Sequence, residues 1–308
     1  MRNKTLIRDI YFTHLKIPDL LTTACTMPTI NLSSHQQFSL DRSLGCGQVF
    51  RWDQTDDGWW EGVVGGRVIR IRQEGRQIIY HGAPGSFIKK YFSLDLDLMS
   101  ILTSIDHDPV IHTAIRHNTG LRIIRQPKWE CLISYICSTN SNIPTIQRRI
   151  SSIAEQFGKP IDFEGKTYFV FPEPSSISCG ELEDLTACRL GYRQPYIYNT
   201  SCSVSDQKCW EEMIEKLPYE DARKELMKLK GVGPKAADCI LLFAFQKYES
   251  FPVDVWIRRI MRENYLPDLL KNAPLTMRDY DTIRNFARNH FGIYCGYAQE
   301  YLYAARKG

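Results

Sequence analysis

The 308-residue chain has no apolar run long enough to span a bilayer, no large excess of charge and no close-set cluster of cysteines. A membrane-spanning helix needs about 20 consecutive apolar residues, so none is expected. A net charge of +4 excludes a strongly basic, charge-driven binder; it permits a nucleic-acid partner without demanding one. The ten cysteines stand at 25, 46, 131, 137, 179, 188, 202, 209, 239 and 295. They have neither the density nor the spacing of a disulfide scaffold, so a reducing interior is the default. Cys202 and Cys209 have no second pair near them, and no metal is expected. Residues 1–27 lack the order of a signal peptide, and Asp9 and Asp19 weaken a transit-peptide reading. What is present is 43% hydrophobic and 24% charged, in a length that suits one large or two ordinary domains. The expectation is a soluble, intracellular protein, cytoplasmic in a prokaryote or nuclear in a eukaryote.

The most informative stretch is LKGVGPKAADC at 229–239 with PVDV at 252–255. Before it, PYEDARKELMKL (218–229) reads as a helix: Pro218 suits the first turn, and Ala222, Leu226 and Leu229 share one face. Gly231 and Gly233 then allow a tight hairpin, and Pro234 opens a second helix through Ala236, Ala237, Ile240, Leu241 and Ala244. The free N–H groups at such a helix start bind anions, and a nucleic-acid backbone is the commonest long anion held this way. Lys235 falls in the first turn of that helix, where the dipole disfavours an ammonium and favours a nucleophilic amine. Asp254 precedes a helical run from Val255, where a carboxylate can cap the helix and face a developing cation. Each residue alone also fits a plainer role, a phosphate-contacting lysine and an ordinary N-cap.

Glycine hairpin, lysine and aspartate together resemble the helix–hairpin–helix–Gly/Pro–Asp superfamily of DNA glycosylases, and the segment is most similar to its 8-oxoguanine DNA glycosylase branch. The likeness extends through GCGQVFRW (45–52), YFSLDLDL (91–98), GLRIIRQPKWECLISYICSTNSNI (120–143), LGYRQPY (190–196) and CGYAQEYLY (295–303), and covers about residues 28–305. It implies an α+β fold. An antiparallel β domain at 28–115, with strands near 58–64, 66–73 and 76–82, is expected before a helical catalytic domain at 116–308. That domain contains the helix–hairpin–helix at 218–245. Helices are expected at 91–105, 109–117, 127–138 and 143–158, with a Pro/Ser-rich connection at 161–181. Residues 1–27 form an extension with no assigned role.

The resemblance also implies the site. Lys235 attacks C1′ and Asp254 stabilises the sugar cation. The carbonyl of Gly47 accepts the N7–H that separates 8-oxoguanine from guanine. Cys239 and Tyr303 flank the extruded base, and Gln299 meets its Watson–Crick edge. Asn140 fills the gap left in the duplex, Tyr192 wedges beside it, Arg193 reads the opposite base, and Gly231 and Gly233 bring the hairpin to the backbone. Some superfamily members hold an iron–sulfur cluster on four cysteines after the aspartate helix. Only Cys295 follows Asp254 here, so no cluster and no cofactor is expected. Two positions depart from the family pattern: Thr145 stands where strict relatives carry an arginine that reads the widowed cytosine, and Trp256 where animal members have histidine. The expected function is a monomeric glycosylase/AP lyase acting on double-stranded DNA that contains oxidised guanine. The alternatives are a glycosylase for alkylated purines and a non-catalytic helix–hairpin–helix DNA-binding protein.

Overall fold

A computed structural model describes residues 27–207, 209–267 and 274–306. The extension expected at 1–27 lies, apart from Met27, outside them. Five strands, β1 (Thr29–Asn31), β2 (Trp52–Gln54), β3 (Trp60–Val64), β4 (Arg67–Glu74) and β5 (Gln77–His81), form an antiparallel sheet ordered β1-β5-β4-β3-β2. Val64 pairs with Arg67, which leaves Gly65-Gly66 as a two-residue loop with φ of +55° and +75°. Two positive φ values in succession are what such a hairpin requires, and glycine adopts them at little cost. Ile69, Ile71 and Ile78 point inward and are fully buried. They pack on α1 (Leu40–Gly45) and α2 (Gly85–Tyr91), with Trp52 Nε1 donating to Tyr91 Oη at 2.8 Å.

The second core is helical. Helices α3 (Leu98–Ile105), α4 (Pro109–His117), α5 (Lys128–Ser138) and α6 (Ile143–Phe157) precede a small hairpin, β6 (Pro160–Phe163) with β7 (Lys166–Phe169). Then come α7 (Pro174–Ser178), two 3-10 turns, α8 (Gln194–Asp206), α9 (Trp210–Lys216), α10 (Tyr219–Met227) and α11 (Pro234–Ala244). The chain closes with α12 (Val255–Asn264), α13 (Met277–Phe291) and α14 (Cys295–Ala305). Every residue of α11 from Ala236 to Ala244 is buried, so this helix is the axis of the bundle.

Two local expectations are corrected. The helix expected from 91 begins only at Leu98, because Asp97 accepts from Ser100 N (3.2 Å) and starts a new helix after the turn that ends α2. The connection expected at 161–181 contains the β6–β7 hairpin: Glu164 and Gly165 have φ of +50° and +77°, a two-residue turn that pairs Phe163 with Lys166. Helices α3 and α4 contribute Leu98, Ile101, Leu102, Ile105 and Ile111 to the helical core, while the core beside the sheet takes in residues up to Leu94 together with Ile124.

The two cores are stitched together by Gln48. It is fully buried, donates to Ser43 O (2.9 Å) and Arg122 O (2.9 Å), and accepts from Ile124 N (2.8 Å). Its own carbonyl accepts from Gln126 Nε2 (2.6 Å), and Gln126 N donates to Phe243 O of α11 (2.9 Å). Gly47, next to Gln48, is thereby held at a fixed place over α11.

Candidate active site

Helices α10 and α11 pack together and are joined by a short turn, and a buried carboxylate locks them. Asp238, fully buried on α11, accepts from Tyr219 Oη (2.6 Å) and Arg223 Nε (3.1 Å) of α10 and from Tyr280 Oη (2.6 Å) of α13. Gly231 turns the chain at φ +86°, and a Cβ there would meet Tyr196 at 2.8 Å. Gly233 differs: its φ is −89° and a Cβ would meet nothing within 4 Å. The hairpin interior therefore requires glycine at 231 but not at 233, which corrects the expectation that both are needed to close the turn. Gly233 is exposed and caps α11 with no side chain over the first N–H groups, so the helix start stays open to an approaching anion.

Lys235 follows Pro234 in that first turn. It is half-buried, with Nζ 4.9 Å from the centroid of the Tyr135 ring on α5. Tyr135 in turn donates to Gln48 O (3.3 Å) and stacks on Phe243 at 5.7 Å. Asp254 enters from another element. Its Oδ1 accepts from Trp256 N (3.0 Å) and Ile257 N (2.8 Å), so it is the N-cap of α12 as well as a carboxylate at the cleft wall.

Both residues open into one cleft of about 790 Å³, which is also lined by Gly47, Asn140, Gly231, Gly233, Cys239, Gln299 and Tyr303. Gly47 has φ +107°, and Ile143 would stand 2.9 Å from a Cβ there, so the backbone itself faces the cleft. Cys239 lies one turn beyond Lys235; burial pushes its thiol up to about 12, so it remains a neutral, polarisable surface. Gln299 is buried with Oε1 unpartnered, and half-buried Tyr303 lies one turn further along α14. A volume of several hundred Å³ with a few convergent polar groups suits a purine-sized ligand.

Tyr192 and Arg193 do not line this cleft; they back the loop that does. Asn140, at φ +48°, projects between α5 and α6. Behind it, Arg193 is 4% exposed and donates to Thr139 O and to Ser141 Oγ (3.1 Å), and its guanidinium stacks 4.2 Å from the centroid of the half-exposed Tyr192 ring. In this structure Arg193 holds the Asn140 loop instead of presenting a free edge. Thr145 Oγ1 accepts from Arg148 Nη2 (3.2 Å), which places an exposed guanidinium one turn from the position lacking the family's arginine. Trp256, 46% exposed, lines the same cleft beside Asp254.

Two residues here were not singled out from the sequence. Tyr135 reads there as one more aromatic in an apolar helix. Glu300 follows Gln299 in an aromatic stripe, where a glutamate ordinarily marks the wet face; here it is 2% exposed and lines the cleft.

A helix–hairpin–helix with a lysine at its second helix, a carboxylate across the cleft and a purine-sized pocket between two cores defines a base-excising DNA glycosylase of the helix–hairpin–helix class. Residues 30–132 match the 8-oxoguanine DNA glycosylase N-terminal domain family. The chain is 35% identical over 243 residues to the probable N-glycosylase/DNA lyase of Methanothermobacter thermautotrophicus, covering 72% of this chain and 75% of that one. It is similar to the Clostridium acetobutylicum 8-oxoguanine glycosylase/lyase solved with double-stranded DNA containing cytosine opposite 8-oxoG (31% identity, TM-score 0.81, 88% and 92% of the two chains). MBOgg1, solved with a low-affinity DNA ligand, gives 34% identity and a TM-score of 0.84 over 92% and 96%. The chain belongs to the 8-oxoguanine DNA glycosylase family of N-glycosylase/DNA lyases.

Proposed function

We propose that the protein excises 8-oxoguanine from duplex DNA and then cuts the strand through a lysine Schiff base, with Lys235 as nucleophile and Asp254 as the stabilising carboxylate. The observation that carries this reading is that two helix N-termini, of α11 and α12, deliver Lys235 and Asp254 to one cleft behind which Gly47, Cys239, Gln299 and Tyr303 form a pocket. The base must leave the stack to be reached, because C1′ is inaccessible in a paired duplex. DNA is gripped at the open start of α11, where Gly233 lets a phosphate approach the backbone. Asn140 enters the gap and Tyr192 wedges beside it. Gly47 offers a carbonyl acceptor to N7–H of 8-oxoguanine, whereas guanine presents an acceptor at N7 and is repelled. As the C1′–N9 bond breaks, Asp254 faces the developing sugar cation. Lys235 bonds to C1′, the sugar opens to a Schiff base, and loss of the C2′ proton eliminates the 3′ phosphate.

Lys235 beside Asp254 speaks against a silent DNA-binding module, and with Gly47 and Gln299 against an alkylated-purine enzyme. The test is base release and strand nicking on duplexes carrying one 8-oxoguanine, one 3-methyladenine or no lesion. The reading requires release and a 3′ nick on the first alone. Release of the methylated base, or binding without release, contradicts it.

A further inference from the structure

The pocket holds a carboxyl that the mechanism above leaves idle. Gln299, Glu300 and Tyr303 share one face of α14, and all three line the cleft. Glu300 is 2% exposed, and its Oε1 has no hydrogen-bond partner. The other buried acid among the described residues is treated differently. Asp238 is fully buried too, but two tyrosines, Arg223 and Ser250 Oγ saturate it. A buried carboxyl kept for structure is satisfied in this way. Glu300 instead leaves a buried oxygen without a hydrogen-bond partner, on a residue that lines the cleft.

Its surroundings favour the protonated form. The carboxyl lies against the Cys46 thiol, whose S–H is already directed at Ser43 O (3.4 Å) and whose sulfur accepts from Gln48 Nε2 (3.4 Å). Around it stand Tyr135 on α5, Lys235 and Cys239 on α11, Asp254 at the start of α12, and Tyr303 and Arg306 on its own helix. Burial raises the carboxyl above its ordinary range; Asp254 adds to this, while Cys46, Arg306 and Lys235 oppose it. The two acids of the cleft are thus placed in opposite environments. Asp254 is half-exposed and accepts two backbone N–H bonds, while Glu300 is 2% exposed with an oxygen that has no hydrogen-bond partner. A carboxyl whose burial favours the protonated form is suited to act as an acid.

We propose that Glu300 is the proton donor to the departing purine. This rests on the excision activity proposed above and assigns that site a second carboxyl role. When C1′–N9 breaks, its electron pair goes to the base, and the Glu300 proton passes to the purine, which leaves as the neutral base. Lys235 Nζ has by then bonded to C1′ as an ammonium, and one of its protons returns Glu300 to the acid. Atoms and charge balance with no added reactant.

The test compares wild type, Glu300→Gln and Glu300→Ala on single-turnover base release from an 8-oxoguanine:cytosine duplex across pH, and on cleavage of a preformed abasic site. General acids contribute about 10²- to 10⁴-fold. Base release by Glu300→Gln is expected to fall at least about 100-fold and to lose the alkaline decline that deprotonation of Glu300 gives wild type, with abasic-site cleavage far less affected. Formate is expected to rescue Glu300→Ala but not Glu300→Gln. Base release by Glu300→Gln within about threefold of wild type overturns the assignment, as does an equal loss on both substrates, which marks a structural role. The wild-type arm separates the claims: a wild type that releases no base contradicts the activity itself, whereas an active wild type with an equally active Glu300→Gln contradicts only the acid.

Discussion

The Lys235 side-chain nitrogen lies over the Tyr135 ring, 4.9 Å from its centroid. The ring stands on α5 and the lysine at the start of α11, so the face of one helix aims the side chain of another. The ring rather than the hydroxyl does the aiming, although the hydroxyl ties Tyr135 to Gln48 O at 3.3 Å. Tyr135→Phe is therefore expected to trap substrate within a few-fold of wild type. Tyr135→Ala removes the wall, opens a cavity worth about 3–5 kcal/mol, and lowers the Schiff-base yield at least about tenfold. Borohydride trapping and a thermal melt read both effects.

Asp254 combines two tasks that substitution separates. Asparagine caps a helix nearly as well as aspartate, so Asp254→Asn should leave the melting temperature almost unchanged. It removes the negative charge opposite the sugar cation, and base release should fall about 10²- to 10³-fold. Asp254→Ala adds the loss of the bonds to Trp256 N and Ile257 N, about 1 kcal/mol of stability. Single-turnover kinetics with melting curves of both variants checks the separation.

The two hairpin glycines predict opposite phenotypes. Gly231→Ala places a Cβ 2.8 Å from Tyr196 at φ +86° and should destabilise the fold. Gly233→Ala meets nothing within the chain, so it should fold normally. It should still weaken DNA binding, by about tenfold, or 1.4 kcal/mol, if a phosphate packs on that backbone. Melting curves and fluorescence anisotropy on an abasic-site duplex distinguish them.

Asp238 joins α10, α11 and α13 through Tyr219, Arg223 and Tyr280, with Arg284 Nε 3.7 Å away. Asp238→Ala leaves the buried Arg223 guanidinium without its anion, while Arg284 keeps Glu220 and Asp281, and should cost about 3–5 kcal/mol, read as a lower denaturation midpoint.

The sequence made the hairpin legible because glycine and proline act locally: GVGP ends one helix and starts the next wherever it stands. Strands β3, β4 and β5 were legible for the same reason, as β-branched runs between glycines. The β6–β7 hairpin was not, although Glu164-Gly165 is a two-residue turn signal, because Pro and Ser nearby suggested a coil. The helix expected from 91 took in the turn at 92–97, after which the Asp97 cap starts α3. Of the cleft lining, residues carried by motifs, such as Lys235, Asp254 and Gln299, could be named in advance. Glu300 could not, since its burial comes from α14 packing against the Cys46–Gly47 turn, a contact far apart in sequence. The hold of Arg193 on Thr139 and Ser141 is likewise tertiary.

The most direct measurement is borohydride trapping on an 8-oxoguanine:cytosine duplex, with the adduct mapped by peptide mass spectrometry in wild type and Lys235→Gln. The account predicts a covalent complex in wild type only, with the reduced sugar on Lys235. An adduct on another lysine, or trapping that survives Lys235→Gln, contradicts it.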